Sequence, residues 1–546
     1  MILGFAETAE YWLEQSRIAK QEKRMKDALL CAYRAMRIDD AFAYRLAYAE
    51  TLLDMKQYKM AAAVCLRYTG KFRDEEYMDY CTLMCDAAAR MGDMSAYVHY
   101  QMEIMRESEF FDEEGFDEVV NDFMKHFEER EQKKNFAFVD DLRKRKHRAW
   151  YDELYDAYIR GNYRRALELV EDLDGENEFY VEALFIWGMS LAKTGDVEEG
   201  KRKLWEMYGL TKHDSRVLYY LDEMGDGLTD EEMQKGLSAL APDGNKDNMA
   251  MASICAYMHA LHKTALYYAQ AAYDIEPYDV ESGLRLAAAY YNLGDRENGN
   301  RYYREVLETY AGFFPRVLAD VRLEAPVDLN FDYAPAETYD AVARYVRKLQ
   351  EGEYMAVLMQ TDLDFRECVR FLLTAPNADQ VALAKLAGET CEWLTPEGIR
   401  FERDLLIDPA TGRTVRFRLL LNLLDKVRKG TVNVTVDWVC ETFKLKVPPS
   451  FEDFSPDMRR VYGYAYLEMV GQNAHRELKL SKVMEKLYLN LPAENYQADV
   501  MGLAVVVGAK IADLGPLLTE KVLDSGWDID LFMGYVDLVK QTLKNA

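Results

Sequence analysis

Residues 248–310 read NMAMASICAYMHALHKTALYYAQAAYDIEPYDVESGLRLAAAYYNLGDRENGNRYYREVLETY. Small side chains recur where two helices would have to touch: Ala252, Ser253, Ala256, Ala265, Ala269 and Ala272. Pro277 follows, and the pattern restarts. Ala265 and Gly299 lie 34 residues apart, as do Ala269 and Tyr303. A period of that length predicts stacked helical hairpins, because one hairpin cannot bury its apolar face alone.

Working outward, the same template fits residues 9–42, with Trp12 in a first helix and Ala28 and Ala35 in a second. It fits 43–70 more loosely (Leu46, Ala49, Leu53, Tyr58, Ala61, Cys65) and 77–106 again (Cys81, Met84, Cys85, Ala88, Tyr97). Residues 110–146 break the register and are charged. The pattern resumes at Trp150, with Leu154, Ala157, Gly161 and Ala166, then Leu184, Gly188, Gly195, Gly200 and Leu204. Trp150 to Leu184 and Gly161 to Gly195 are again 34 residues. Residues 209–246 read as a degenerate unit or a spacer. Gly92-Asp93, Gly161-Asn162, Gly195-Asp196 and Gly294-Asp295 mark the turns: Gly supplies a left-handed residue and Asp or Asn caps the next helix.

These residues resemble the tetratricopeptide repeat family. Repeat 181–214 carries its early aromatic-Gly at Trp187-Gly188, and repeat 246–279 carries Ala265, Ala272 and Pro277. The resemblance spans residues 9–106 and 147–313. It implies an α-hairpin solenoid that binds protein or peptide.

Past Pro315 the text changes. Pro326, Asp328, Asn330 and Pro335 predict a linker. Helical patterns follow at 336–351, 364–373, 378–394 and 416–429. In 430–447 (GTVNVTVDWVCETFKLKV), Val432, Val434, Val436 and Trp438 alternate with polar residues, as do Phe443, Leu445 and Val447. Period two on both sides of a break predicts a β-hairpin, ended by Pro448-Pro449. Arg370–Thr374 with Val381–Leu394, then Asp404–Leu406 with Val415–Leu424, resemble the HEAT-like helical region that follows such repeats in some bacterial proteins. The expected fold is therefore mainly α: repeats at 1–110, a charged helical connector at 111–146, repeats at 147–315, a linker at 316–335, and a mostly helical region at 336–546 with a β-hairpin near 431–447.

The 546 residues exceed one compact core, a limit that a repeat array escapes by growing in one dimension. The formal charge of −27 repels nucleic acid and anionic membranes. The eight cysteines are dispersed, with no CxxC, and read as reduced core thiols of a cytoplasmic protein. The N-terminus has no basic start and is not read as a secretory signal. Met501–Ala512 is the most apolar stretch, shorter than the ~20 residues a spanning helix needs, and predicts a buried helix.

No motif for chemistry stands out. There is no HExxH, GxSxG, Walker sequence or GxGxxG. His259 and His262 are placed at an exposed inter-helix turn. Cys81 and Cys85 fall on small packing positions. Asp362 and Asp364 form one of many acidic pairs. The basic run at 142–148 (LRKRKHR) reads as a solvated helix face. No catalytic residue, cofactor or metal is expected.

The family's concave positions, carried onto the first helix of each pair, give Tyr151, Tyr155 and Tyr158; Phe185, Met189 and Ala192; Ala250, Ile254 and Tyr257; Leu284, Ala288 and Tyr291. That face is aromatic and aliphatic. It lacks the Lys/Asn pattern with which chaperone-binding relatives clamp a C-terminal carboxylate. The resemblance therefore implies a scaffold that takes an apolar or amphipathic peptide or helix, with Tyr as anchor. The alternative is a regulatory protein whose C-terminal helices contact nucleic acid or an effector while the repeats sense a peptide.

Overall fold

A computed structural model describes residues 8–68, 70–107, 148–171, 173–320 (without 174, 176, 212 and 241–243), 336–350, 355–375, 386–387, 396–427, 429–436, 438–470, 474–491, 496–512, 522 and 527–545. The connector at 111–146, the basic run up to His147, most of the expected linker and most of the expected helix at 378–394 lie outside them. Among the described residues are 25 α-helices and one two-stranded sheet.

Eight antiparallel helix pairs come first. They are α1 (Ala9–Gln21) with α2 (Met25–Ile38), α3 (Phe42–Asp54) with α4 (Tyr58–Leu66), and α5 (Asp74–Met91) with α6 (Met94–Glu107). After residue 147 come α7 (Arg148–Ile159) with α8 (Tyr163–Val170), α9 (Tyr180–Thr194) with α10 (Val197–Leu210), α11 (Ser215–Asp222) with α12 (Asp230–Ala239), α13 (Lys246–Met258) with α14 (His262–Ile275), and α15 (Val280–Asn292) with α16 (Arg296–Thr309). The degenerate stretch 209–246 thus contains a complete, shortened hairpin.

The pairs form where local chemistry tells the chain to stop and restart. The inter-helix turns at Gly92, Gly161, Gly195 and Gly294 have φ between +72° and +104°. The neighbouring Asn162, Asp196 and Asp295 side chains accept from the backbone N–H three residues on. Entry to the first helix is capped in the same way: Asn245 accepts from Asn248 N, and Asp279, 34 residues later, from Ser282 N. Ala260 stands where the next repeat has Gly294 and takes φ +53°.

Within a pair the helices touch at small residues. The Ser253 hydroxyl donates to the Ala265 carbonyl at 2.9 Å, and in the first pair Ser16 donates to Ala28 at 2.8 Å, with the same spacing of twelve. In the α9–α10 pair both sides are glycine. A Cβ on Gly188 would stand 2.9 Å from the Gly200 carbonyl oxygen, and one on Gly200 2.6 Å from that of Gly188.

The first three pairs do not stand apart from the rest. Lys26 of α2 pairs with Glu305 of α16, Lys56 with Glu276 at 3.0 Å, and the Gln57 amide donates to the Tyr278 carbonyl at 2.9 Å. On the other side they meet the C-terminal region, which comprises α17 (Ala336–Gln350), α18 (Met355–Thr361), α19 (Leu363–Leu373), α20 (Pro396–Ile407), α21 (Arg413–Lys426), β1 (Lys429–Val436), β2 (Val439–Lys446), α22 (Pro456–Val470), α23 (Glu477–Asn490), α24 (Ala498–Gly508) and α25 (Ile529–Asn545). Arg67 holds the fully buried Asp408 at 2.9 Å, with Arg370 at 4.0 Å on the same carboxylate. Burial, followed by the neighbouring Arg67, pulls the Arg370 guanidinium below its ordinary range. One apolar core runs from Leu29 to Val539.

The hairpin pairs Lys429 with Lys446 through Val436 with Val439. Val432, Val434, Phe443 and Leu445 face inward and are buried. Trp438 is not a strand residue as expected. Trp438 takes φ +61° between the paired Val436 and Val439, so its side chain leaves the alternation. Its carbonyl accepts from Tyr100 of α6 at 2.9 Å, which seats the hairpin tip on the N-terminal repeats. In α24, every residue from Val500 to Val506 is buried, and among the described residues no helix is long and apolar enough to cross a membrane.

Two outcomes are expected from this architecture. Asp408→Ala leaves the half-buried Arg67 without its carboxylate and Arg370 with Asp404 alone, at 3.8 Å, at a cost of about 1.5–3 kcal/mol. Hydrogen exchange should speed up in both α4 and α20, and protection unchanged in both helices would refute the link. Ala260→Gly relieves a left-handed alanine and should stabilise by about 0.5–1 kcal/mol, net of the added chain entropy of glycine. A lowered thermal midpoint would contradict the turn geometry.

Candidate functional site

The first helices α7, α9 and α11, with Tyr163 at the start of α8, carry a continuous line of aromatic rings. Tyr163 meets Tyr158 at 6.0 Å, Tyr158 meets Phe185 at 6.1 Å, Phe185 meets Tyr220 at 4.9 Å, and Tyr220 meets Tyr219 at 6.0 Å. Beside this line Tyr151 stacks flat on Phe179 at 4.4 Å and touches Tyr155 at 6.3 Å. The helical spacing of Tyr151, Tyr155 and Tyr158 places the three rings on one face of α7. Partial burial, then the hydroxyls of Tyr163, Tyr220 and Tyr155, push the Tyr158 phenol above its ordinary range. The Tyr158 phenol is therefore a neutral donor and acceptor at physiological pH.

Nine of the twelve expected lining positions carry aromatic or larger aliphatic side chains, and these nine divide sharply. Tyr155 is 51% exposed. Tyr151, Tyr158, Phe185, Met189 and Tyr257 are half-buried. Ile254, Leu284 and Tyr291 are interior, at 5%, 0% and 0% exposure, and line no open surface. Two physical reasons account for the correction. Ten of the thirteen residues of α15 are buried, in the part of the array that Lys26, Lys56 and Gln57 tie to the N-terminal pairs. Tyr291 also has a packing task of its own: its ring fills the space over Gly299, where a Cβ would come within 2.2 Å of it, and its hydroxyl bonds Asn300. The open part of the face is thus the α7–α11 end.

Tyr219 and Tyr220 belong to the line and Phe179 stands beside it, and none of the three is among the expected positions. The α11–α12 pair departs from the 34-residue rhythm, since α11 has only eight residues. The signal was nonetheless present in Asp214-Ser-Arg-Val-Leu-Tyr-Tyr-Leu, where the Asp214 carboxylate accepts from Arg216 N to start the helix.

His259 is not at an exposed turn. Its ring is 9% exposed and lies between two carboxylates, with Nδ1 2.8 Å from Asp230 and Nε2 3.1 Å from Asp222. The turn that carries it packs on the end of α11, so the ring ties neighbouring hairpins together. The Nδ1 atom of His262 is buried as well. Among the described residues no group of three or more His, Cys, Asp or Glu converges as a metal site. Cys65, Cys81, Cys85, Cys255 and Cys368 are buried thiols, and Cys31 and Cys440 are half-buried thiols. Asp362 has a structural task, accepting from Phe365 N at the start of α19.

No family model matches the chain, and no curated protein does. Solved structures do match. The TPR2AB domain–pHSP90 complex of yeast Sti1 is 10% identical over 55% of this chain and 98% of its own, with a TM-score of 0.18. The TPR domain of P58(IPK) is 15% identical over 69% and 98%, with a TM-score of 0.21. Yeast Tom70 is 12% identical over 94% and 98%, with a TM-score of 0.24. At such scores the overall shapes do not superpose. The tetratricopeptide-like character of the fold stands on the helix pairs, turns and 34-residue spacing of this chain.

Nitration by tetranitromethane offers a direct check of the site's geometry. In the folded chain Tyr155 should react at least tenfold faster than Tyr291, read by peptide mass spectrometry. Equal rates would refute the division between open face and interior.

Proposed function

We propose that this chain is a non-catalytic, cytoplasmic interaction scaffold whose α7–α11 face takes an apolar or amphipathic helical segment of a partner protein. The observation that carries the reading is the aromatic line from Tyr163 through Tyr158 and Phe185 to Tyr220 and Tyr219. It runs from the start of α8 across the first helices α7, α9 and α11, and the half-exposed Tyr155 stands on α7 next to Tyr151. Half-buried tyrosines held by their neighbours supply large contact area at small entropic cost, which is the profile of an interface anchor. The buried Asp408 link and the Tyr100–Trp438 contact join the C-terminal region to the first three pairs, and we read that region as a cap that orients the array. In the same reading, the segments before 111, between 147 and 315, and after 336 are the working units, with 111–146 and 316–335 as connectors.

The test compares wild type with the double variant Tyr155→Ala/Tyr220→Ala. Both substitutions truncate rings at the face, so the circular-dichroism melt should move little. A partner captured from the native cell should bind the variant at least thirtyfold more weakly, corresponding to about 2 kcal/mol at an anchor. Equal affinity for both proteins would remove this face from the function.

A further inference from the structure

A cavity of about 820 Å³ opens where separate parts of the chain meet, lined by none of the residues of the aromatic face. The short turn that starts at Arg316 supplies one wall. The end of α17 supplies a second, with Lys348 and Leu349, and α18 with the start of α19 supplies a third, with Leu358, Leu363 and Asp364. A smaller chamber of about 310 Å³ shares Arg316, Leu363 and Asp364 with it and reaches Tyr33 and Arg37 of α2. Volumes of this order suit a small ligand rather than a folded partner.

Packing fixes the walls. The chain after α16 runs so close to α2 that a Cβ on Gly312 would stand 3.0 Å from the Tyr33 ring, which sets where Arg316 emerges. Burial pushes the Tyr33 phenol above its ordinary range, and Arg37 and Arg316 act against it, so both guanidiniums lie near that hydroxyl. Phe371 of α19 meets Phe314 at 6.3 Å and stacks on Tyr339 of α17 at 5.0 Å. Arg37 and Glu367, which both line the smaller chamber, pair at 3.8 Å.

The charges left over are of both signs. Among the described residues Arg316, Lys348 and Asp364 make no ion pair, and all three are exposed where they line the cavity. Leu349, Leu358 and Leu363 line it beside them. An inorganic anion drawn to Arg316 and Lys348 would sit near Asp364 and gain nothing from the leucines. A polyamine drawn to Asp364 would meet both cations. A molecule with one charge of each sign on an apolar body satisfies all three groups and covers the leucines as well.

We infer that this cavity is a site for a small zwitterion with an apolar body, the chemistry of a free amino acid or short peptide. Its carboxylate goes to Arg316 and Lys348, its ammonium to Asp364, and its side chains to Leu349, Leu358 and Leu363. Such a ligand bridges the segment after α16 and helices α17 to α19, so its binding stabilises the place where the repeats meet the C-terminal region.

The full-length protein would be titrated by calorimetry with leucine, dileucine and trileucine, and with the N-acetyl and C-amide forms of each. The expected result is saturable binding of at least one zwitterion, the length that binds tightest telling amino acid from peptide. Each blocked form should bind roughly tenfold or more weakly, the loss of one hydrogen-bonded charge. Arg316→Ala/Lys348→Ala should abolish the preference for a free carboxylate and keep that for a free amine, and Asp364→Asn should do the reverse. All three side chains are exposed, so the unliganded variants should melt with wild type. No saturable binding by any of the three, equal binding of free and blocked forms, or preferences unchanged by the substitutions would overturn the site.

Discussion

Everything in the array depends on how closely the two helices of a pair can cross. Where Ser16 and Ser253 donate to the facing carbonyls of Ala28 and Ala265, or where Gly188 meets Gly200 backbone to backbone, the helix axes come near enough for the flanking Leu and Tyr side chains to interlock. A larger residue at those points would wedge the pair open and expose the apolar faces that neighbouring pairs must share. The left-handed turn residue and the Asp or Asn cap serve the same end. They reverse the chain over two residues, so that the second helix starts in register with the first.

A second constraint arises because each pair is incomplete. Its outer face needs a neighbour, and the chain finds one for its first three pairs at both sides. The α15–α16 end of the second array lies on one side and the C-terminal helices on the other. That junction is partly ionic and partly dry, with Asp408 fully buried between Arg67, which follows α4, and Arg370 of α19. A buried carboxylate of this kind adds little net stability over an apolar core, yet it penalises any arrangement that leaves it unpaired. It therefore fixes how the two ends of the chain meet. The same closure leaves exposed aromatic surface at the α7–α11 end, where Tyr155 remains open.

The amino-acid sequence by itself determined the unit of construction. Small residues at Ala252, Ser253 and Ala265, glycine at 161, 195 and 294, and caps at Asn162, Asp196 and Asp295 are local instructions, and local instructions are legible because they act within one or two helical turns. The β-hairpin was legible for the same reason, through the inward alternation of Val432, Val434, Phe443 and Leu445, although the site of reversal at Trp438 was not. The tertiary structure alone decided which faces stay open. Leu284 and Tyr291 occupy the same repeat positions as the half-buried Tyr151 and Tyr158, yet they are interior, in a part of the array that Lys26, Lys56 and Gln57, more than two hundred residues away, tie to the N-terminal pairs. Periodicity records what each helix pair needs, whereas exposure depends on where distant pairs end up, and no short-range pattern encodes that.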